Sequence, residues 1–158
     1  MSGRFYEDLV VGATFRSEPV TLSEKQIIEF AREWDPQPWH IDPVAARDSA
    51  FGRLVGSGMH TTVLVMRMFT DMGLLKGTAL AGLGFDTVRF RQPLLAGDPL
   101  SVLATVTEKR PTRRPDRGVV TIRLDLENAQ AEVIFTLSVT SLVATRQGRQ
   151  RASGAQEI

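Results

Sequence analysis

The sequence contains no cysteine and only two histidines among its 158 residues. Without cysteine the chain can form no disulfide, no thiolate nucleophile and no cysteine-ligated metal site, and this composition fits a reducing compartment. The two histidines and the scattered carboxylates show no metal-ligand spacing, so we expect no bound metal.

Excess charge of one sign and long apolar runs are also missing. Nineteen basic and 18 acidic side chains give a formal net charge of +1, which indicates neither a nucleic-acid nor a membrane partner. No apolar run reaches the roughly 18 residues of a membrane span, and the first eight residues lack the apolar stretch of a secretory leader. We therefore expect a soluble cytoplasmic protein.

What the sequence does contain is enough apolar residues for one core. With 158 residues and 42% hydrophobic content, the chain is expected to form a single domain over residues 1–145. Residues 146–158 lack apolar periodicity, and we expect them to be a disordered C-terminal tail.

Helical patterns come first along the chain. Thr21 and Glu24 have the spacing of a capping box, and apolar residues then recur at helical spacing as far as Trp34. Asp42 followed by Pro43 predicts the N-cap of a short helix through about residue 48. Residues 59–72 are apolar on most faces, which predicts a central helix buried on nearly all sides.

Strand patterns follow. Alternation with a period of two predicts strands over residues 85–91, 100–109, 118–126 and 131–144, with an earlier strand near residues 13–20. The late strands are joined by short connections, so we expect mostly antiparallel pairing. The pattern predicts an α+β domain in which a curved sheet wraps one long helix.

Residues 34–43 carry the chemistry that stands out most. Asp35 and His40 lie five residues apart, and Pro36 and Pro38 restrict the backbone around them, which predicts a rigid, non-helical segment. A carboxylate and an imidazole held within reach of one substrate can act as general acid and base. The alternative is that this is an ordinary turn with two unrelated polar side chains.

Three segments in this order resemble MaoC-like dehydratases, the (R)-specific enoyl-CoA hydratases of the hot-dog fold. They are residues 30–42 with the Asp35 and His40 pair, residues 51–59 with their glycines, and residues 91–100. The resemblance covers roughly residues 8–143. It implies about five antiparallel strands around a central helix, a homodimer or a higher assembly of dimers, and no cofactor apart from the coenzyme A of the substrate.

The resemblance also implies roles for individual residues. Asp35 and His40 match the dyad that adds water to a 2-enoyl thioester and catalyses the reverse dehydration. Gly58 matches the glycine whose backbone N–H binds the thioester oxygen. Unpaired N–H groups at a helix N-terminus favour developing negative charge, which supports this role independently.

Three further residues are assigned to the substrate site, and two of them depart from the family pattern. Gln37 stands where many members have Asn, and Ser57 stands where many have a histidine before the glycine. Ser57 fits either a hydrogen bond to Asp35 or the N-cap of the central helix. Trp39 places a large ring beside the catalytic histidine. The other histidine, His60, is interpreted as structural.

The leading interpretation is a hydro-lyase that acts on 2-enoyl-CoA or a related acyl thioester. An acyl-CoA thioesterase is the alternative enzyme, because one fold can support both reactions. A non-catalytic acyl-CoA-binding subunit is a further alternative, although the presence of both dyad residues counts against it. Five basic residues near the 111–118 turn fit either coenzyme A phosphates or, more simply, a solvated hairpin tip.

Overall fold

The computed structural model describes residues 3–149, which form one antiparallel sheet with four α-helices. The strands are Thr14–Arg16 (β1), Ala79–Phe90 (β2), Ser101–Pro111 (β3), Arg117–Glu127 (β4) and Val133–Ala144 (β5). The helices are Glu24–Trp34 (α1), Pro38–Ile41 (α2), Pro43–Arg47 (α3) and Gly58–Asp71 (α4). Within this part of the chain, none of the helices is long and apolar enough to cross a bilayer.

The sheet has the order β1-β3-β4-β5-β2, and every neighbouring pair is antiparallel. Alternate residues of β3, β4 and β5 form the core with the inner face of α4, including Leu64, Val65 and Met68. The predicted hot-dog architecture, a sheet of five strands with one long helix, is confirmed. In this order β2 forms one edge of the sheet and the three-residue β1 forms the other.

The N-cap of the first helix lies two residues later than predicted. The N-cap is Ser23, whose hydroxyl accepts from the Gln26 N–H while the Gln26 side chain accepts from the Ser23 N–H. Thr21 is therefore not the cap. Ser23 with Gln26 satisfies the same capping-box spacing as Thr21 with Glu24, so sequence spacing alone did not distinguish them.

Strand β2 begins six residues earlier than predicted. Gly82 and Gly84 precede the predicted strand, yet both lie within the observed one and pair with β5 across irregular steps in the register. A further irregularity lies between Asp86 and Arg89, where Thr87 adopts a positive φ of 53°. Bulges of this kind accommodate residues that break the alternating pattern, which is why periodicity missed half of the strand.

The central helix has an exposed side, so the prediction that it is buried on nearly all sides is wrong for the single chain. Met59 and Val63 are 54% and 50% exposed, and Arg67 continues the same side one turn later. One sheet covers only one side of a helix, because side chains three or four positions apart share a face. Apolar residues in a sequence mark every helix face that is stabilised by burial, and the pattern does not show whether the same chain covers that face.

The predicted disordered tail is ordered at its start. Residues 146–149 form a helical turn after β5, where Arg146 forms an ion pair with Asp8 and Arg149 donates to the Gly77 carbonyl at 2.7 Å. Charged contacts rather than apolar periodicity hold this turn, so the hydrophobic pattern gave no sign of it. The rest of the predicted tail, residues 150–158, lies outside the described residues.

His60 is buried in the first turns of α4 and stacks on Phe30, with ring centroids 4.2 Å apart and an interplanar angle of 11°. Among the described residues, no group forms a hydrogen bond with its buried Nδ1. Burial lowers the pKa of His60 from its ordinary value of 6.5, because the apolar surroundings disfavour the charged imidazolium.

We predict that this histidine makes the fold less stable in acid. Below pH 6.5 the unfolded chain takes up a proton that folded His60 resists, so the free energy of unfolding falls as the pH drops through that value. Chemical denaturation at pH 7.5 and 5.5 should show a smaller acid loss in His60→Leu than in the parent. Parallel losses in the two proteins would contradict the prediction.

Candidate active site

Asp35 is positioned by the end of α1. It is the C-cap residue, its backbone N–H donates to the Ala31 carbonyl at 2.9 Å, and its φ of −157° and ψ of 70° lie outside the α region. The following Pro36 disfavours helical geometry at Asp35, as the sequence predicts. The carboxylate is thereby turned away from the helix, and its side chain remains 27% exposed.

Ser57 links this carboxylate to the central helix. Its hydroxyl donates to Asp35 Oδ2 at 2.6 Å and accepts from the Met59 N–H at 3.1 Å. The two roles considered for Ser57, a bond to Asp35 and the N-cap of α4, are therefore both filled. Since the hydroxyl has one proton, its use on Asp35 fixes the direction of both bonds.

His40 is held from both sides. Its Nδ1 lies 2.7 Å from the Val55 carbonyl oxygen, and its Nε2 accepts a hydrogen bond of 3.1 Å from the Trp39 indole N–H. A carbonyl can only accept and an indole N–H can only donate, so these partners fit a neutral imidazole that carries its proton on Nδ1. The one in-plane lone pair of His40 is therefore on Nε2, where it accepts from the indole, and this nitrogen also lies toward Asp35.

The dyad residues are close but not directly hydrogen-bonded. His40 Nε2 and Asp35 Oδ2 are 3.6 Å apart, which is beyond normal hydrogen-bond distance. Within residues 3–149 no donor forms a hydrogen bond with Asp35 Oδ1. The site thus places a carboxylate oxygen and an imidazole lone pair side by side, partly open to solvent, where both can exchange a proton with one bound molecule.

Gly58, the first residue of α4, provides a third element. In the described part of the chain, no acceptor meets its backbone N–H, as expected in the first turn of a helix. A Cβ at Gly58 would lie 2.9 Å from a ring carbon of Phe90, so only glycine allows this ring to approach. The open N–H and the positive end of α4 can stabilise a negatively charged oxygen.

The predicted non-helical segment contains one helical turn. Pro38–Ile41 forms α2, with Pro38 at its first turn and extended Gln37 as its N-cap. Pro38 has a φ suited to a helix start, so it begins this turn while keeping Gln37 out of the α region. The Gln37 side chain is exposed, and its contact with substrate stays a prediction.

Two contacts of His40 were not foreseen from the sequence. The Val55 carbonyl is a backbone group that any residue carries, so no side-chain signal could identify it. The Val55 N–H also donates to the Trp39 carbonyl at 3.2 Å, which joins this loop to α2. Trp39 was expected to line the substrate site by its bulk, whereas in the structure its N–H donates to His40 Nε2.

One large cleft lies apart from the dyad, and two arginines of the basic cluster are paired with another residue. A cleft of about 1060 Å³ lies at the opposite end of α4, between the N-terminal segment, β1 and residues 68–74, and no dyad residue lines it. In the basic cluster, Arg114 and Arg117 form ion pairs with Asp116 and hold the pKa of that carboxyl far below its usual range. These two arginines are therefore already paired within the hairpin.

Comparison with known proteins gives the same family as the site. A solved MaoC-like dehydratase from Rhodospirillum rubrum is 39% identical, with a TM-score of 0.86 over 91% of this chain and 99% of that one. R-hydratase PhaJ1 from Pseudomonas aeruginosa is 25% identical, with a TM-score of 0.71 over 89% and 85% of the two chains. A 3-hydroxybutyryl-CoA dehydratase of Methylorubrum extorquens is 31% identical over 72% of this chain and 70% of its own length.

Some other curated relatives are longer, and the chain spans 31% to 56% of their length. The match to the family itself is broad. The sequence profile described as "MaoC like domain" matches residues 8–128, which include the dyad, Ser57, Gly58 and strands β1 to β4. Together with the fold and the paired acid and imidazole, this match shows that the chain belongs to the MaoC-like dehydratase family.

Proposed function

We propose that this protein catalyses the reversible hydration of a 2-enoyl-CoA, or a related 2-enoyl thioester, to the 3-hydroxyacyl thioester. The observation that carries the proposal is the arrangement of Asp35 and His40 beside the open N-terminus of α4. Membership of a family of hydratases and dehydratases supports a hydro-lyase. The identity of the thioester is inferred from the relatives and from the suitability of the site.

In the hydration direction, one water molecule is added across the C2–C3 double bond. Its hydroxyl oxygen bonds to C3 while the C2–C3 π bond breaks, and a proton is added at C2. Asp35 and His40 together remove a proton from water and supply the proton to C2, both being placed for acid-base transfer. The dehydration uses the same groups in reverse.

Charge moves to the thioester oxygen as C3 is attacked. The Gly58 N–H and the N-terminal end of α4 stabilise this oxygen in an enolate-like state, because unpaired helix N–H groups carry partial positive charge. This contact comes from the backbone. It is therefore independent of the dyad, and loss of a dyad side chain should reduce turnover more than it reduces substrate binding.

The first test replaces each dyad residue. Asp35→Asn keeps the shape but removes a proton acceptor, and His40→Ala removes the imidazole. Each change should lower crotonyl-CoA hydration by about 10²- to 10⁴-fold, the usual contribution of a general acid or base. Loss of enoyl-thioester absorbance measures the reaction, with circular dichroism as the control for folding.

Free thiol release, measured in parallel, separates hydration from hydrolysis. A parent protein that releases coenzyme A without hydrating any of a panel of short, long and branched enoyl-CoAs would show that it is a thioesterase. A native-like Asp35→Asn or His40→Ala variant with hydration within a few-fold of the parent would rule out the dyad assignment.

A second test uses Ser57, which caps α4 and binds Asp35 at the same time. Ser57→Ala should lower both stability and turnover, whereas Ser23→Ala, which removes the N-cap of α1, should lower stability alone. Loss of a cap costs about 0.5 to 2 kcal/mol of unfolding free energy. Denaturation curves and crotonyl-CoA kinetics compare the variants, and equal kinetic effects in both would contradict the role of Ser57 in the site.

We also propose that the protein forms a homodimer through the outer edge of β2. This twelve-residue edge strand exposes large apolar side chains, whereas the opposite edge strand has three residues. The exposed residues are Leu80, Leu83, Phe85 and Phe90, each about half exposed. A long apolar edge in water favours pairing with another strand, and a second copy satisfies both chains at once.

Light scattering at micromolar concentration should therefore give the mass of a dimer. Leu83→Arg places a charge on the proposed interface and should shift the mass toward a monomer. Thr14→Arg, a matched change on the exposed β1 edge, should not. A monomeric parent with full activity would contradict the proposed dimer.

A further inference from the structure

The Trp39 indole forms a hydrogen bond with Nε2 of His40, the atom that accepts a proton in the proposed reaction. Its N–H donates to His40 Nε2 at 3.1 Å, while the Val55 carbonyl accepts a hydrogen bond from Nδ1–H at 2.7 Å. A neutral imidazole has a single in-plane lone pair, here on Nε2. In this arrangement the lone pair is already used, so His40 cannot accept a proton from water at the same time.

The surroundings of Trp39 allow its ring to leave this position. Trp39 is partly buried. Its ring centroid lies 5.8 Å from that of His40, with an interplanar angle of 71°, and 6.3 Å from that of Phe51, with an angle of 47°. Phe51 is itself 47% exposed. His40, in contrast, is 9% exposed in its side chain and tied to the Val55 carbonyl, so the tryptophan is the freer partner.

We propose that Trp39 is a latch on the catalytic histidine. Before substrate binds, the indole N–H donates to the Nε2 lone pair while Nδ1 faces the Val55 carbonyl. When an acyl thioester occupies the site, the indole moves away and the reacting water takes its place on Nε2. The inference rests on the proposed function, because it assigns the proton transfer to Nε2.

The latch has a kinetic consequence. The Trp39 hydrogen bond stabilises the free enzyme but is absent in the transition state, so it raises the barrier measured from free enzyme and substrate. A hydrogen bond of ordinary net strength corresponds to about a 2- to 10-fold factor in kcat/KM. Removing the N–H while keeping an aromatic ring should therefore increase kcat/KM for crotonyl-CoA by this factor.

Trp39→Phe makes this change, and Phe51→Leu is the matched control. The control removes the aromatic ring beside Trp39 but keeps the hydrogen bond from the indole N–H to His40, so it should not increase kcat/KM. A Trp39→Phe protein whose kcat/KM falls, or does not rise above that of Phe51→Leu, would overturn the latch. In that case the indole would assist turnover or have no part in it.

The movement of the indole can be measured directly in the parent protein by NMR. The ¹⁵N-labelled parent has two indole signals, one from Trp39 and one from Trp34, whose residue is 66% exposed. The signal missing in Trp39→Phe identifies Trp39. Saturating butyryl-CoA, which has no double bond to hydrate, should shift the Trp39 indole signal and leave that of Trp34 nearly in place.

The two proposals fail in different ways. Hydration of crotonyl-CoA with an unshifted Trp39 signal at saturating butyryl-CoA would refute the latch and leave the proposed function standing. A shifted Trp39 signal without any hydration would refute the proposed reaction, and with it the role of the latch in proton transfer, while the movement of the indole would stand. If butyryl-CoA produces no binding signal at millimolar concentration and no enoyl-CoA of the panel is hydrated, both proposals are contradicted, because both require an acyl thioester to enter the site.

Discussion

The hydroxyl group of Ser57 holds the site together. It is fully buried, and it joins the carboxylate at the end of α1 to the first turn of α4 through two hydrogen bonds. A hydrogen bond to a carboxylate is shorter and stronger than one between neutral groups, which agrees with the 2.6 Å distance. Ser57 fills one acceptor position of Asp35 Oδ2, and within the described residues Oδ1 accepts no hydrogen bond.

The histidine is fixed by different means. Proline at position 38 starts a single helical turn, and this turn brings the His40 ring to the Val55 carbonyl. The loop that carries Val55 is itself attached to the sheet side of the fold, since the Gly56 N–H donates to the Leu94 carbonyl at 2.8 Å. The acid and the imidazole are thus both held by one short segment, through the Ser57 hydroxyl and the Val55 carbonyl.

Much of this arrangement was accessible from the sequence. Periodicity identified the central helix and four late strands, and the proline steps identified the end of α1 and the start of α3. The errors share a physical cause, namely that local patterns do not specify tertiary partners. Bulges hid the first half of β2, the outer side of α4 was taken as buried, and the Val55 carbonyl has no side-chain signature. Distances among Asp35, His40 and Ser57 depend on long-range packing, so spacing could nominate these residues but not their contacts.

Strand β2 connects the proposed assembly to the proposed chemistry. Its last residue, Phe90, is half exposed, lies against Gly58 and packs on Phe135 at a centroid distance of 5.1 Å. The same strand is the apolar edge on which the proposed dimer is built. Pairing of two β2 edges would restrict the backbone that carries Phe90, and hence the space beside the Gly58 N–H where we propose that the thioester oxygen binds. On this argument, assembly defines the walls of the oxyanion site, whereas the dyad, supported by α1, α2 and Ser57, is complete within one chain.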